Sequence, residues 1–354
     1  MGGRKSSRID PHLRVCLEVN NAMDRQGFQR LLEQKAFPTV LLFEGEEEYL
    51  KQQALAALRQ ALLPPGMEEL NENLLTAPET DEIQAAAETL PFMAEKRLVL
   101  VRDLPALAGR AEADEKLLAW LPQCPDTAVV LFYCTAKPDG RKKLYTTIKK
   151  LNGIVTFSPM KDRELTTFVT RAFHDQGREC DERTAEYLIF TCGTDSTLLM
   201  NEIAKIAAHG VADSPVTVQE ITELATPSIE CTVFQMVDAV VSRQNARALR
   251  LVKNQLTAGA DRLYLLAMLL RQFRLLQHIK IMQFEKRGND FIRASLGMPP
   301  FVCDQYVKQA AACSNHQVKQ AVAVCMDTEY RIKSGRMNQE GALEAAVLKI
   351  LTQE

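Results

Sequence analysis

The sequence has no long apolar run, no strong excess of one charge and no paired cysteines. Its longest apolar run, Leu263–Leu270, falls far short of the about 20 residues of a membrane-spanning helix, so we expect no membrane contact. Basic residues number 43 against 45 acidic ones, a net charge of -2, so the molecule as a whole does not attract nucleic acid. The nine cysteines include no Cys-x-x-Cys pair. This pattern indicates reduced, mostly buried thiols of a cytosolic protein rather than disulfides or zinc ligands.

Also absent is the sequence of a phosphate-binding loop, which needs Gly-x-x-x-x-Gly-Lys-Ser/Thr between a strand and a helix. After the first predicted strand this chain has Gly45–Lys51, with glutamates at positions 46, 47 and 48. Their carboxylates suit a helix N-terminus but repel phosphate. The five histidines are scattered, and no metal cluster, triad spacing or carboxylate pair points to catalysis. We therefore expect no cofactor, no metal and no intrinsic catalysis.

What is present is the composition of an ordinary globular protein, with 46% apolar and 25% charged residues in 354. This length allows two or three compact units. The charge is unevenly placed: residues 44–95 carry twelve acidic and two basic side chains, whereas residues 243–287 carry ten basic and two acidic ones. One part of the chain is therefore expected to repel phosphate, and another part can attract it.

Residues 38–157 alternate short β-branched or aromatic runs with helical patterns, which is typical of a parallel sheet with crossover helices. Thr80 is the predicted N-cap of one of these helices. After Pro159 the pattern is helical, with five or six longer helices from Cys231 onward. The predicted strands are 39–43, 71–76, 97–102, 128–134 and 153–157, and the predicted helices include 46–63, 80–89, 138–150 and 261–286. The last of these helices is predicted to carry an apolar stripe, with Leu265, Leu269, Phe273 and Ile279 recurring along it.

Four segments follow from these patterns. Residues 1–22 show neither a signal peptide nor sustained periodicity, so we expect a disordered N-terminal extension, with Met23 as the natural start. An α/β domain is expected over 23–160, a small helical domain over 161–227 and a second helical domain over 228–354.

In their order and spacing, several short motifs resemble the delta-subunit family of bacterial DNA polymerase III. The resemblance runs from residue 28 to nearly the end of the chain. It is carried by Leu41–Leu50, Leu90-Pro91-Phe92, Arg141–Leu144, Asn201-Glu202-Ile203-x-Lys205, Arg271–Leu276, Asp327-x-x-x-Arg331–Gly335 and Leu343-Glu344.

This resemblance implies α/β plus all-α architecture: an AAA+-like parallel-sheet domain without a working P-loop, a small helical lid and a C-terminal helical collar. It implies a subunit that binds and opens the ring-shaped sliding clamp, so that the loader can place the clamp on primed DNA. The implied partners are the sliding clamp (beta subunit), the gamma/tau and delta-prime loader subunits, and primed DNA. The subunit is expected in the cytoplasm as a non-hydrolysing part of the DNA-directed DNA polymerase holoenzyme.

The four apolar residues Leu90, Pro91, Phe92 and Met93 lie between a predicted helix and a predicted strand. The residues alone favour inward packing, with Leu90 and Phe92 tucked under the sheet. The resemblance implies instead that they insert into a hydrophobic pocket on the clamp, with Phe92 as the main anchor. Leu90 and Met93 both stay open as the second anchor.

Two basic clusters are candidate contact surfaces. Lys137, Arg141, Lys142 and Lys143 are expected at or on one helix, either as DNA contacts or as a solvated helix face. In the predicted collar, the resemblance implies that Arg271, Phe273 and Arg274 contact other loader subunits.

Three other functions remain open from the residues. They are an active AAA+ ATPase, a delta-prime-like stator subunit and a DNA-binding adaptor of the replisome. The resemblance implies that the ATP-hydrolysing loader subunits and the delta-prime subunit carry a Ser-Arg-Cys motif, whose arginine reaches the nucleotide of a neighbouring subunit. This chain has no Ser-Arg-Cys sequence, which opposes the first two functions.

Overall fold

The computed structural model describes residues 23–211 and 214–352. The predicted extension, residues 1–22, lies outside the described residues. The chain divides into two compact units between Met160 and Lys161.

The first unit is built on a parallel sheet of five strands in the order β2-β3-β4-β1-β5. β3 and β4, the two neighbouring apolar runs, are buried along nearly their whole length, as expected for parallel strands covered on both faces. The strands are β1 Val40–Glu44, β2 Glu72–Thr76, β3 Arg97–Arg102, β4 Ala128–Tyr133 and β5 Ile154–Thr156. The helices are α1 Arg25–Gln34, α2 Glu48–Leu62, α3 Glu68–Asn71, α4 Thr80–Glu88, α5 Glu115–Trp120 and α6 Lys143–Lys150.

Helix starts in this unit differ from the prediction because side chains cap them in ways that the residue types alone did not indicate. Thr80 is the first residue of α4 rather than its N-cap. Glu79 is the cap, in a reciprocal pair of hydrogen bonds with Glu82. α6 begins at Lys143 instead of residue 138, because residues 138–142 form a turn in which the Asp139 side chain accepts a hydrogen bond from the Arg141 amide. Helix α5 was not predicted.

The second unit is entirely helical apart from a single isolated bridge in the described residues, between Glu179 and Pro215. Its helices are α7 Asp162–Asp175, α8 Glu182–Cys192, α9 Ser196–His209, α10 Val218–Leu224, α11 Ile229–Val241, α12 Asn245–Thr257, α13 Arg262–Phe284, α14 Asn289–Leu296, α15 Pro300–Ala311, α16 Asn315–Lys333 and α17 Ala342–Thr352.

From α11 onward the described chain has seven helices, not five or six, because the glycines at 288 and 297 bound the short α14 on both sides. The long helix α13 carries the predicted apolar stripe, and Leu265, Leu269, Phe273 and Ile279 are all buried in the core around it. α16 is its most extensive packing partner.

The eight described cysteines are free, and all but Cys180 are buried. Burial raises the pKa of the Cys124 and Cys134 thiols to about 12, so they stay protonated at neutral pH. The prediction that the thiols are mostly buried is confirmed for these residues.

Among the described residues no single helix has the length and apolar character to cross a membrane, although the bent pair α10 and α11 meets both criteria when taken together. In the same part of the chain, no group of three or more histidine, cysteine or acidic side chains is placed to hold a metal ion.

Candidate functional site

The four apolar residues at positions 90–93, here called the apolar loop, join α4 to β3 and lie on the surface. Leu90 is 75% exposed, Phe92 52% and Met93 76%. The expectation that Leu90 and Phe92 tuck under the sheet is therefore wrong. A monomeric protein gains no stability from such exposure, and clustered exposed apolar side chains usually mark a binding surface.

A buried asparagine, Asn71, holds the backbone of the apolar loop. Asn71 is the last residue of α3 and is fully buried. Its side-chain oxygen accepts a hydrogen bond from the Phe92 amide at 2.7 Å, and its side-chain nitrogen donates to the Phe92 carbonyl at 2.9 Å. The same nitrogen donates to the Met67 carbonyl at 3.1 Å. Both backbone polar groups of Phe92 are thus satisfied by one side chain, while its ring points to solvent.

A second support comes from Arg97, the first residue of β3, which is only 5% exposed. One guanidinium nitrogen donates to the carbonyl oxygens of Thr89 at 3.0 Å and Leu90 at 3.2 Å. The other terminal nitrogen donates to the Asn73 side chain at 2.5 Å. Burial lowers the pKa of Arg97, but arginine still keeps its charge at neutral pH.

The chain leaves the apolar loop through Met93, whose φ of 50° lies in the left-handed region. A residue other than glycine is strained in this region, so the surrounding hydrogen bonds must hold the turn in place. Sequence reasoning found the apolar loop from its composition but missed Asn71 and Arg97. Their partners at positions 89, 90 and 92 are backbone atoms, which leave no mark in the residue pattern.

Two further apolar side chains are exposed next to these supports. Leu70 precedes Asn71 and is 55% exposed, and Leu74 follows Asn73 and is 59% exposed. Leu74 lies on β2, the edge strand of the sheet. The exposed apolar surface of this edge therefore extends beyond the apolar loop itself.

At the place of a phosphate-binding loop, the structure shows an ionic network around a buried lysine. Lys51 on α2 is fully buried, donates a hydrogen bond to the Cys134 carbonyl at 2.8 Å and pairs with Glu48 at 2.8 Å. Glu48 also accepts a hydrogen bond from the Tyr133 hydroxyl at 2.5 Å. Burial alone would raise the pKa of Glu48, but the hydrogen bonds from Lys51 and Tyr133 outweigh it and lower the pKa. The lysine is committed to this internal network.

The turn between β1 and α2 is packed against another backbone segment of this chain, at Phe157. Gly45 has a φ of 115°, and a Cβ atom on it would lie 2.1 Å from the Phe157 carbonyl oxygen. The glycine therefore lets two backbone segments of this chain approach each other. In a phosphate-binding loop, glycines let the backbone approach a phosphate instead.

The basic cluster near α6 is partly neutralised. Arg141 pairs with Asp139 at 3.0 Å, and Lys142 pairs with Glu112 at 2.5 Å. Within the described ranges, Lys137 and Lys143 make no ion pair, and both are exposed. Lys137, Arg141 and Lys142 precede α6 rather than lying on it.

The candidate interface residues on α13 do not share one face. Arg271 and Arg274 are exposed, but Phe273 is only 2% exposed and belongs to the core of the second unit. The interpretation of Phe273 as a contact to another subunit is wrong, because residues two apart on a helix point in different directions. The two arginines line an open groove together with Gln277 and His278.

The sequence of the chain is similar to two family models and to two bacterial proteins. Residues 41–158 match the family described as DNA polymerase III, delta subunit, and residues 230–350 match the family described as DNA polymerase III delta subunit, C-terminal domain. The chain is 24% identical over 316 residues to the DNA polymerase III subunit delta of Bacillus subtilis (strain 168), a match that covers 87% of this chain and 91% of that protein. It is 22% identical over 268 residues to the probable DNA polymerase III subunit delta of Aquifex aeolicus (strain VF5), with 72% and 74% covered.

Among solved structures, the chain is similar to the Bacillus subtilis DNA clamp loader delta protein. The TM-score is 0.52 at 22% identity, with 92% of this chain and 99% of that chain covered. At this identity the likeness shows the fold. The predicted α/β plus all-α architecture, a parallel-sheet unit followed by helices, is confirmed. The further division into a lid, 161–227, and a collar, 228–354, stays a prediction.

Proposed function

We propose a function from one premise: this chain belongs to the DNA polymerase III delta-subunit family. As a clamp-loader subunit it binds the sliding clamp and opens it, so that the assembled loader can place the ring on primed DNA. It does this without hydrolysing nucleotide itself, as a component of the polymerase holoenzyme in the cytoplasm.

The observation that carries the proposal is the exposure of the apolar loop. Leu90, Phe92 and Met93 expose more than half of their surfaces to water while the backbone beneath them is fixed. Fully burying one such side chain contributes about 1.5 to 3 kcal/mol. A rigid loop with two or three such anchors has the properties of an interface hot spot, and a hydrophobic pocket on the clamp is the matching surface.

Opening then follows from differential binding. The clamp has two states, a closed ring and a ring with one opened interface. A ligand shifts the populations of these states only by the difference between its affinities for them. The apolar loop opens the ring if it binds the open state more tightly. The free energy of opening comes from this contact and not from a chemical step.

In the proposed role, this chain does not itself bind nucleotide. Lys51, at the position where a phosphate-binding lysine is expected, is held by Glu48 and by the Cys134 carbonyl. An incoming phosphate would have to displace a carboxylate and a carbonyl from a fully buried lysine. ATP acts on the gamma/tau subunits, where it controls when the apolar loop is accessible.

The remaining partners use the other exposed charges. Arg271 and Arg274, on the groove of α13, contact the neighbouring gamma/tau or delta-prime subunits. Lys137 and Lys143, which have no ion pair in the described residues, contact the phosphates of primed DNA in the complex. Arg141 and Lys142 contribute less, because Asp139 and Glu112 already neutralise them.

The proposal is tested by mixing the purified chain with the sliding clamp of the same organism, without nucleotide, and measuring complex formation by size-exclusion chromatography with light scattering. The expected result is a complex that forms equally with and without ATP and that fails with Phe92→Ala. A complex that requires ATP, or no complex at all with the wild-type chain, contradicts the proposal.

A further inference from the structure

We infer that Asn71 and Arg97 are positioning residues, which fix the backbone of the apolar loop in its clamp-binding conformation before the clamp arrives. This inference rests on the proposed function, because it concerns the same loop. It assigns a role to two buried polar side chains that hydrogen-bond the backbone of the loop and of the residue before it.

Asn71 acts on the central residue of the loop. It binds both the amide and the carbonyl of Phe92, at 2.7 and 2.9 Å, from a position 21 residues earlier in the chain. An asparagine side chain offers one acceptor and two donors, and all of them are used here, the last on the Met67 carbonyl. The paired bonds fix the plane of the Phe92 peptide groups, and so the direction in which the ring leaves the surface.

Arg97 acts on the entry to the loop. Its guanidinium joins the carbonyls of Thr89 and Leu90 to the side chain of Asn73 on the edge strand. The planar fork of arginine holds such an arrangement, whereas a lysine has only one nitrogen to offer. Asn71 and Asn73 stand on either side of the start of β2, so both supports tie the loop to the edge of the sheet.

The arrangement matters for affinity because an exposed apolar loop that is already ordered loses little conformational entropy on binding. It also explains why Phe92 does not fold back onto the protein. Met93 holds a positive φ, and a loop free of its hydrogen bonds would relax from that conformation. We therefore expect that removing the supports weakens clamp binding although every apolar side chain of the loop remains.

The test combines two measurements on Asn71→Leu, which keeps the size of the side chain and removes its hydrogen bonds. Amide hydrogen exchange of the Phe92 N–H should be slow in the wild-type chain and fast in the variant, without any clamp present. Clamp affinity should fall about tenfold, as expected for two lost hydrogen bonds. The double variant Asn71→Leu with Phe92→Ala should bind no more weakly than Phe92→Ala alone, because Asn71 acts only through Phe92.

Two further variants keep the result interpretable. Asn71→Ala removes the same hydrogen bonds and leaves room for water at the Met67 and Phe92 carbonyls, so it should also speed exchange at the Phe92 amide and weaken binding. It carries the same test if Asn71→Leu does not fold. Lys51→Met removes a different fully buried polar side chain of the same unit, so it is the control for general destabilisation and should bind clamp like the wild type.

The inference is overturned if the Phe92 amide exchanges as slowly in Asn71→Leu as in the wild type. It is also overturned if the double variant loses the sum of the binding free energies lost by Asn71→Leu and by Phe92→Ala. An equal loss in Lys51→Met also overturns it. If Phe92→Ala itself binds the clamp like the wild type, the proposed function has failed instead. The exchange rates still decide in that case whether Asn71 orders the loop.

Discussion

Replacing Phe92 with alanine is expected to weaken clamp binding about 70-fold. Phe92 is 52% exposed in the free chain. A large aromatic side chain buries about 200 Å² in full, so about 100 Å² of the ring remains for the clamp to cover. At about 25 cal/mol per Å² this area corresponds to about 2.5 kcal/mol, which is about 70-fold in Kd. Because the ring is half outside the protein, the free energy of unfolding should change much less than the affinity.

Isothermal titration calorimetry of the clamp with the wild-type chain and with Phe92→Ala measures this difference. Phe284→Ala is a matched control. Phe284 is 83% exposed at the end of α13, in the other unit, so the same atoms are removed from a surface far from the apolar loop in the sequence. The control should bind like the wild type. A loss of less than about threefold for Phe92→Ala, or an equal loss for Phe284→Ala, refutes the reasoning.

Three further predictions concern other parts of the first unit. The pKa of Glu48 is lowered in the folded state, so its contribution to stability is present at neutral pH and is lost as the pH falls through that lowered pKa. Urea unfolding between pH 7 and pH 3 should therefore show a smaller loss of stability in Glu48→Gln than in the wild type, and parallel losses would contradict the network. Gly45→Ala should lower the free energy of unfolding by about 1 to 3 kcal/mol in the same assay, because the position has a positive φ and the added Cβ would clash with the Phe157 carbonyl oxygen. An unchanged urea midpoint would show that the turn relaxes without cost. In the assembled loader, replacing Lys137 and Lys143 with alanine should reduce the slope of log K against log salt for primed DNA by about 1.8. An unchanged slope would mean that these lysines do not touch phosphate.

The sheet was predictable because its strands carry their own signal. β3 and β4 are six-residue strands with apolar runs, rich in valine or aromatic residues, between charged or polar turns. Their length and composition favour a buried parallel strand over a helix. The predicted stripe of α13 was also right, because a period of 3.6 residues places Leu265, Leu269 and Phe273 on one face. The same periodicity argues against Phe273 as a surface residue. The nearby Arg271 and Arg274 suggest an exposed segment, although only the two arginines are exposed.

The candidate site was only half predictable. Composition drew attention to Leu90–Met93, but an apolar loop can turn inward or outward, and the residues by themselves favoured the inward arrangement. The outward arrangement depends on Asn71 and Arg97, which bind backbone atoms 21 and 7 or 8 residues away. An asparagine at the end of a short helix looks like a cap in the sequence, so its role becomes visible only when the chain is folded.

Release of a closed clamp from nicked circular DNA by this chain alone, without nucleotide, tests the central claim most directly. The measurement follows labelled clamp leaving the DNA by gel filtration. The proposed function predicts that the wild-type chain and Phe284→Ala accelerate release over the spontaneous rate, whereas Phe92→Ala does not. Release at the spontaneous rate with the wild-type chain, or release by Phe92→Ala as fast as by the wild type, would contradict it.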